Sequence, residues 1–156
     1  MPPYTPPVFI GFGSNVGDRE SNYRTAIEAL HDTESIDVRR HSSLCEYPPL
    51  GPPQADYVNG VIELTTGLQP ADLLAELNRI EAEMGRERVV HWGPRTVDLD
   101  ILFWGDLILQ TETLTIPHPG ACERLFVLEP MAELAPEFKD PRSGRTILEI
   151  LESMRG

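Results

Sequence analysis

Lysine is all but missing from this chain: Lys139 is the only one among 13 basic residues, and the others are arginine. Without a lysine near a glycine turn, the phosphate loop of the form G-x-x-x-x-G-K-[ST] cannot be built. Arginine's planar fork suits bidentate contact with phosphate, so the composition narrows which phosphate motifs are open. Positive charge of any kind is short: 25 acidic residues against 13 basic ones leave a formal charge of −12. That excludes a general nucleic-acid binder, which needs a basic face. A small phosphorylated ligand in a local basic pocket remains compatible with it. Cysteine is limited to Cys45 and Cys122, with neither metal-site spacing nor a disulfide framework. Free thiols in a reducing cytosol are the default reading. No run approaches the ~18–20 apolar residues of a membrane span. The opening "MPPYTPPVFI" has no basic stretch leading into a long apolar core. A cytoplasmic protein with no membrane partner is expected.

What is present organises into one domain. A chain of 156 residues can bury a real core. Residues 8–156 are read as that domain, behind a proline-rich tail over residues 1–7. "VFIGFG" is predicted to be a strand, followed by a helix in "GDRESNYRTAIEALHD" with Tyr23, Ala26, Ile27 and Leu30 on one face and Asp18 as N-cap. "SIDVRRHSSL" is predicted as a second strand. "YPPLGPPQAD" is a stiff proline-rich loop, and "YVNGVIELTT" a third strand with Gly60 as a candidate bulge. In "PADLLAELNRIEAEMG", Pro70 opens a helix, Leu73, Leu77, Ile80 and Met84 form its stripe, and Gly85 stops it. "VDLDILFW" is a fourth strand. The order is that of the ferredoxin-like β-α-β-β-α-β unit. Short elements follow in "LTIPHP" and around "VLEPMAELAP", then a final helix with Thr146 and Glu149 as a capping box.

The chemistry concentrates in "WGPRTVDLDI", Trp92 to Ile101. Alternation places Val97, Leu99, Ile101 and Phe103 on one face and Asp98 and Asp100 on the other. Same-face neighbours lie about 6.5–7 Å apart, close enough for two carboxylates to share hard cations. A solvated strand face is the ordinary alternative. Aspartate, however, is a poor strand residue, and two like charges on one face repel. Arg86, Arg88 and Arg95 bracket the preceding loop. Singly, each is explained as a solubilising charge paired with Glu81, Glu83 or Glu87. Clustered beside the aspartates, they make a phosphoryl-transfer site, where metal neutralises phosphate and arginines meet developing charge.

Other stretches say less. "GFGSNVGD" follows a strand and precedes a helix, but Gly11, Gly13 and Gly17 give G-x-G-x-x-x-G, not a dinucleotide fingerprint. A tight turn using glycine for positive φ is the preferred reading, with Ser14 and Asn15 still able to face a ligand. Tyr57 and Asn59 share a strand face, an aromatic plane beside an amide that can read a flat heterocycle; core packing is the competing explanation. His118 lies between two prolines and, with Arg124, can bind phosphate or ribose; a plain surface histidine is an equal alternative.

Together, "GFGSNVGDR", "PPLGPPQADYVNGV", "RIEAEMGR", "WGPRTVDLDILFWG" and "TIPHPGACERLFVLEP" resemble, in order and spacing, the 6-hydroxymethyl-7,8-dihydropterin pyrophosphokinases of folate biosynthesis. The likeness runs from about Val8 to about Pro136. It implies an α+β fold, a ferredoxin-like core with a mainly antiparallel sheet, elaborated by extra short strands and C-terminal helices. It implies transfer of the β,γ-pyrophosphate of ATP to the pterin hydroxymethyl group, with two Mg²⁺ ions held by Asp98 and Asp100. Arg86 and Arg95 match catalytic arginines, and Trp92 belongs to the loop closing over both substrates. Pro48, Leu50, Tyr57, Asn59 and Phe126 match the pterin pocket. Glu81, Arg88, Ile101, Thr115, His118 and Arg124 match positions near ATP. Tyr47 stands where family members often carry Thr, and Gly120, Ala121 and Cys122 replace a more polar stretch. ATP and the pterin are the expected partners of a monomer. A two-metal nucleotide hydrolase and a non-catalytic nucleotide-binding module are the rival readings.

Overall fold

A computed structural model describes residues 5–14, 18–47, 57–85 and 97–155. Of the predicted elements, strand β1 (Val8–Ser14) leads to helix α1 (Arg19–His31). Strand β2 (Ile36–His41) and a short β3 (Cys45–Tyr47) precede β4 (Tyr57–Thr66). Helix α2 (Pro70–Met84) is followed by β5 (Asp98–Trp104). A two-stranded ribbon, β6 (Leu109–Gln110) with β7 (Thr115–Ile116), leads into helices α3 (Leu125–Leu134) and α4 (Ile147–Arg155).

The main sheet runs β2-β4-β1-β5, with β3 also on β4, and its pairings are antiparallel. This is the ferredoxin-like order the element sequence predicts. Helices cover both faces. On one, Tyr23, Ala26 and Leu30 of α1 and Leu73, Leu77 and Ile80 of α2 pack against Val8, Ile10, Phe12, Ile62, Leu64, Leu99 and Ile101. On the other, Val127, Leu128 and Met131 of α3 and Ile147, Ile150 and Leu151 of α4 pack against Phe9, Val61, Leu102 and Phe103. Both helical stripes are those the 3.6-residue period dictates, with Ile27 and Met84 at the margins.

Local signals account for the helix ends. The Asp18 carboxylate accepts the Ser21 amide at 3.0 Å, as an N-cap should. Pro70 occupies the first turn of α2 and Gly85 its C-cap. Ahead of α4, the Thr146 amide donates to Glu149 at 3.0 Å and the Glu149 amide to the Thr146 hydroxyl at 3.1 Å, the expected reciprocal box.

Four expectations are corrected. Phe103 does not share a face with Leu99 and Ile101: the β1–β5 register shifts between Phe9 and Ile10, so Phe103 turns to the α3 side. One extra residue in a strand reverses the alternation beyond it. Gly60 is not a bulge, since β1–β4 runs without a shift through Phe12↔Gly60. It makes room instead: a Cβ there would lie 2.9 Å from the Tyr23 hydroxyl oxygen. Gly11 and Gly13 lie within β1 and supply no positive φ, while the rest of the turn read in "GFGSNVGD", with Asn15 and Gly17, lies outside the described residues; the positive-φ glycines among the described residues are Gly105 and Gly144. Strand β3 takes Tyr47 out of the loop expected in "YPPLGPPQAD" and adds Cys45 and Glu46, which the sequence pattern assigned to neither strand nor loop.

Cys45 and Cys122 are free thiols. Burial, with nearby Asp140 adding to it, pushes the Cys122 thiol up to about 11. Among the described residues no helix is long and apolar enough to cross a membrane.

Candidate active site

The centre of the site is a line of residues running across the sheet. Gly13 of β1 pairs with Asn59 of β4 on one side and with Asp98 of β5 on the other. Gly11 pairs likewise with Val61 and with Asp100. Directly opposed residues of antiparallel strands project from the same face. Asn59, the two glycines, Asp98 and Asp100 therefore share the face that α3 covers further along. Strands sit about 4.7–4.9 Å apart, so Asn59 and Asp98 stand about 10 Å from one another across a floor with no side chain in between. A Cβ on Gly11 would already be 3.2 Å from the Leu102 side chain.

Asp98 is half-buried and Asp100 exposed, side by side on that face as alternation predicts. The outer edge of β5 is fastened by Glu81 of α2, whose carboxylate accepts the Leu99 amide at 2.7 Å. That bond also brings the end of α2 beside the start of β5. Residues Gly85 and Val97, which bound the arginine-bearing segment, are thereby anchored next to the aspartates. Arg86, Arg88, Trp92 and Arg95 themselves lie outside the described residues, as do Pro48 and Leu50. Tyr57 pairs with Tyr47 in the ladder that leads into Pro48.

The Asn59 end of the line is braced from behind. Asn59 Nδ2 donates to the Phe12 carbonyl at 3.4 Å. The Tyr23 hydroxyl donates to the Ser42 carbonyl at 2.9 Å, and the Val61 amide donates to the Ser42 hydroxyl at 2.9 Å. Glu133 of α3 accepts the Ser43 amide at 2.9 Å. These contacts fix the turn from β2 to β3. Burial holds the Tyr23 phenol up at about 12, so it stays a donor.

The other end is bordered by the segment after β7, which starts with a cis peptide bond before Pro117. The His118 amide donates to the Leu102 carbonyl at 2.9 Å, setting the ring beside β5. His118 Nδ1 accepts the Gly120 amide at 3.1 Å, leaving Nε2 to carry the proton of the neutral ring. Burial lowers the His118 pKa; the Asp100 charge opposes that, and Arg124 and Arg142 reinforce it. Arg124 lies over Gly120, where a Cβ would be 2.7 Å from the guanidinium carbon, and its guanidinium stands 5.6 Å from the Phe126 ring centroid. Phe126, half-buried on the first turn of α3, packs at the edge of the α3-side core. Thr115 is half-buried in β7.

The Ile101 side chain is buried in the α1–α2 core, where alternation places it, so only its backbone is left for any ligand contact. Gly11, Gly13 and Gly120 are site residues the sequence reading passed over. For Gly11 and Gly13, glycine at every second position of one strand, opposite aspartate at every second position of another, was the available signal; Gly120 had none.

The arrangement is an α+β sheet carrying paired carboxylates, a glycine floor, an amide on one side and a neutral histidine with arginine on the other. Donors of this kind can hold a cation-bound polyphosphate beside a flat polar acceptor, the requirement of a group-transfer enzyme. The family model described as 7,8-dihydro-6-hydroxymethylpterin-pyrophosphokinase matches residues 9–136. A relative from Synechocystis, named 2-amino-4-hydroxy-6-hydroxymethyldihydropteridine pyrophosphokinase, is 46% identical over 93% of this chain and 74% of its own length. One of the same name from Bacillus subtilis is 44% identical over 88% of this chain and 84% of its own. A crystal structure of an HPPK-DHPS chain in complex with substrates superposes with a TM-score of 0.76 at 13% identity, over 97% of this chain and 44% of that one. This last likeness shows the fold. The chain belongs to the 7,8-dihydro-6-hydroxymethylpterin-pyrophosphokinase family.

Proposed function

We propose that this chain carries out the reaction its family is named for, moving the pyrophosphoryl group of ATP onto the hydroxymethyl oxygen of 6-hydroxymethyl-7,8-dihydropterin, a step of folate biosynthesis. The single observation that carries the reading is the line Asn59–Gly13–Asp98, with Asp100 beside it. An amide that can read a pterin edge and a carboxylate pair that can hold cation-bound phosphate face each other across bare backbone. That arrangement supports a transfer between two substrates bound side by side.

The hydroxymethyl oxygen attacks the β-phosphorus, the bond to the α,β-bridging oxygen breaks, and AMP leaves with that oxygen. The hydroxyl proton passes to water. Such a transfer depends on in-line positioning and charge neutralisation more than on a strong base. Asp98 and Asp100 are hard oxygen donors on one face, the donor type Mg²⁺ takes alongside substrate phosphates. Two Mg²⁺ ions held there would supply charge neutralisation of the triphosphate.

The remaining roles fall to the chain itself. Asn59, Tyr57, Pro48, Leu50 and Phe126 hold the pterin. His118 with its Nε2 proton, Arg124 and Thr115 hold the nucleotide, together with Arg88. Glu81 keeps the β5 edge in place as well as lying on the nucleotide side. Arg86 and Arg95 meet the charge that develops on the transferred group, and Trp92 helps enclose both substrates. All these residues belong to one chain, so the reading requires no second subunit, and the cytoplasm is the compartment proposed.

Asp100→Ala tests the carboxylate role, because the exposed side chain can be removed without opening the core. Turnover should fall by roughly 100-fold or more, the scale of losing a transition-state charge partner, with unfolding behaviour unchanged. Near-full turnover in the variant would refute the role.

A further inference from the structure

Beyond the family-matched residues 9–136, the connection from α3 to α4 carries one cation aimed back at the site. Asp140, only 4% exposed, organises that connection. Its carboxylate accepts the Arg142 amide at 3.3 Å and the Ser143 hydroxyl at 2.9 Å. Its amide donates to the Arg145 carbonyl at 2.9 Å, and its carbonyl accepts the Gly144 amide at 2.7 Å. Gly144, at φ +73°, supplies the left-handed residue that closes the turn. A hairpin-like tip held this firmly can present a long side chain in a fixed direction.

That side chain is Arg142. Its Nη2 donates to the His118 carbonyl at 3.3 Å, and its Nε stands 3.9 Å from Asp140. The carbonyl it grips belongs to the turn whose other bonds are already described: His118 amide to Leu102, Gly120 amide to the His118 ring. Arg142 thus ties the far side of the turn that orients both the imidazole and, through Gly120, the Arg124 guanidinium. Two guanidinium charges and the Asp100 carboxylate act on one imidazole. On a chain with a net charge of −12, such a local gathering of cations favours an anion.

We propose that Arg142 is a positioning residue for the nucleotide end of the site: it fastens the His118–Gly120 turn through the His118 carbonyl and, with Arg124, adds a second guanidinium charge felt at the His118 ring, where the triphosphate binds. The inference rests on the assignment of His118 and Arg124 to the nucleotide. The experiment is steady-state kinetics of the full chain for both substrates, with calorimetric binding of a non-hydrolysable ATP analogue, for Arg142→Ala, Arg142→Lys and Arg124→Ala. Arg142→Ala should weaken analogue binding and raise KM for ATP about ten-fold, the scale of one charge-assisted hydrogen bond. KM for the pterin should be unchanged. Arg142→Lys should recover part of the loss, because the charge remains while the fork is gone. If Arg124→Ala weakens the analogue and Arg142→Ala does not, the inference is overturned and the assignment of the site stands. If neither does, the nucleotide assignment fails and the inference with it. An Arg142→Ala defect shared equally by both substrates, or not relieved by lysine, would mark the residue as merely structural and also overturn it.

Discussion

A methyl group added at Gly120 would sit 2.7 Å from the carbon of the Arg124 guanidinium and 2.7 Å from its Nε. The atoms in the way are the far end of a flexible side chain, so Gly120→Ala should move Arg124 and leave the fold alone. KM for ATP should rise about five-fold, equivalent to about 1 kcal/mol of lost contact, with the pterin KM and the thermal midpoint little changed. Kinetics for each substrate in turn, alongside a melting curve, check this; an unchanged ATP KM would remove Arg124 from the nucleotide side. At this scale the sequence was most readable where the signal is local. Asp18, Thr146 with Glu149, and the Asp98/Asp100 alternation depend on neighbours three residues away or fewer, and the structure keeps all of them. Gly120 and Arg142 were not readable as site residues, because each acts on a group its own neighbours do not predict: Arg124 for one, the His118 carbonyl 24 positions away for the other.

Strands and helices show the same division between local and long-range causes. The 3.6-residue stripes of α1 and α2 and the β-branched run of β4 are properties of single segments, and they appear where the pattern places them. The register shift opposite Phe9 and Ile10 is a property of two strands, and a period-two reading of β5 alone carries Phe103 to the wrong face. Gly60 likewise has its reason in another element. The Tyr23 hydroxyl of α1 occupies the space a Cβ would need, at 2.9 Å, with a Leu44 methyl at 3.1 Å. The same Tyr23 hydroxyl holds the bend between β2 and β3 through the Ser42 carbonyl, and β3 leads directly into the proline-rich stretch assigned to the pterin. Gly60→Ala should therefore cost about 1–3 kcal/mol by overpacking and also raise the pterin KM. Denaturant unfolding and pterin-dependent kinetics read the two effects; a destabilised variant with an unaltered pterin KM would separate the bend from the pocket.

For the whole molecule, the sheet's two faces divide the work. The α1–α2 face is closed and apolar along the length of β1, whereas the opposite face carries the polar line of Asn59, Asp98 and Asp100 at one end and the α3–α4 core at the other. Half-buried His118 links that polar end to global stability. Burial lowers its pKa in the folded chain, so between the ordinary value of about 6.5 and that lowered value the unfolded chain binds the extra proton. Stability from this group is complete above about pH 6.5 and fades as pH falls through the folded value. Urea unfolding between roughly pH 5 and 7 should show a shallower acid-side loss in His118→Gln than in the parent chain. Equal slopes would mean that the ring is not held neutral by burial. The central claim, however, concerns transfer across the floor between Asn59 and the carboxylate pair, and AMP release measures it most directly. With ATP and Mg²⁺ supplied, AMP should form only when 6-hydroxymethyl-7,8-dihydropterin is present, one AMP for each pterin diphosphate; AMP formed at the same rate without the pterin would contradict the account and mark the site as a nucleotide hydrolase.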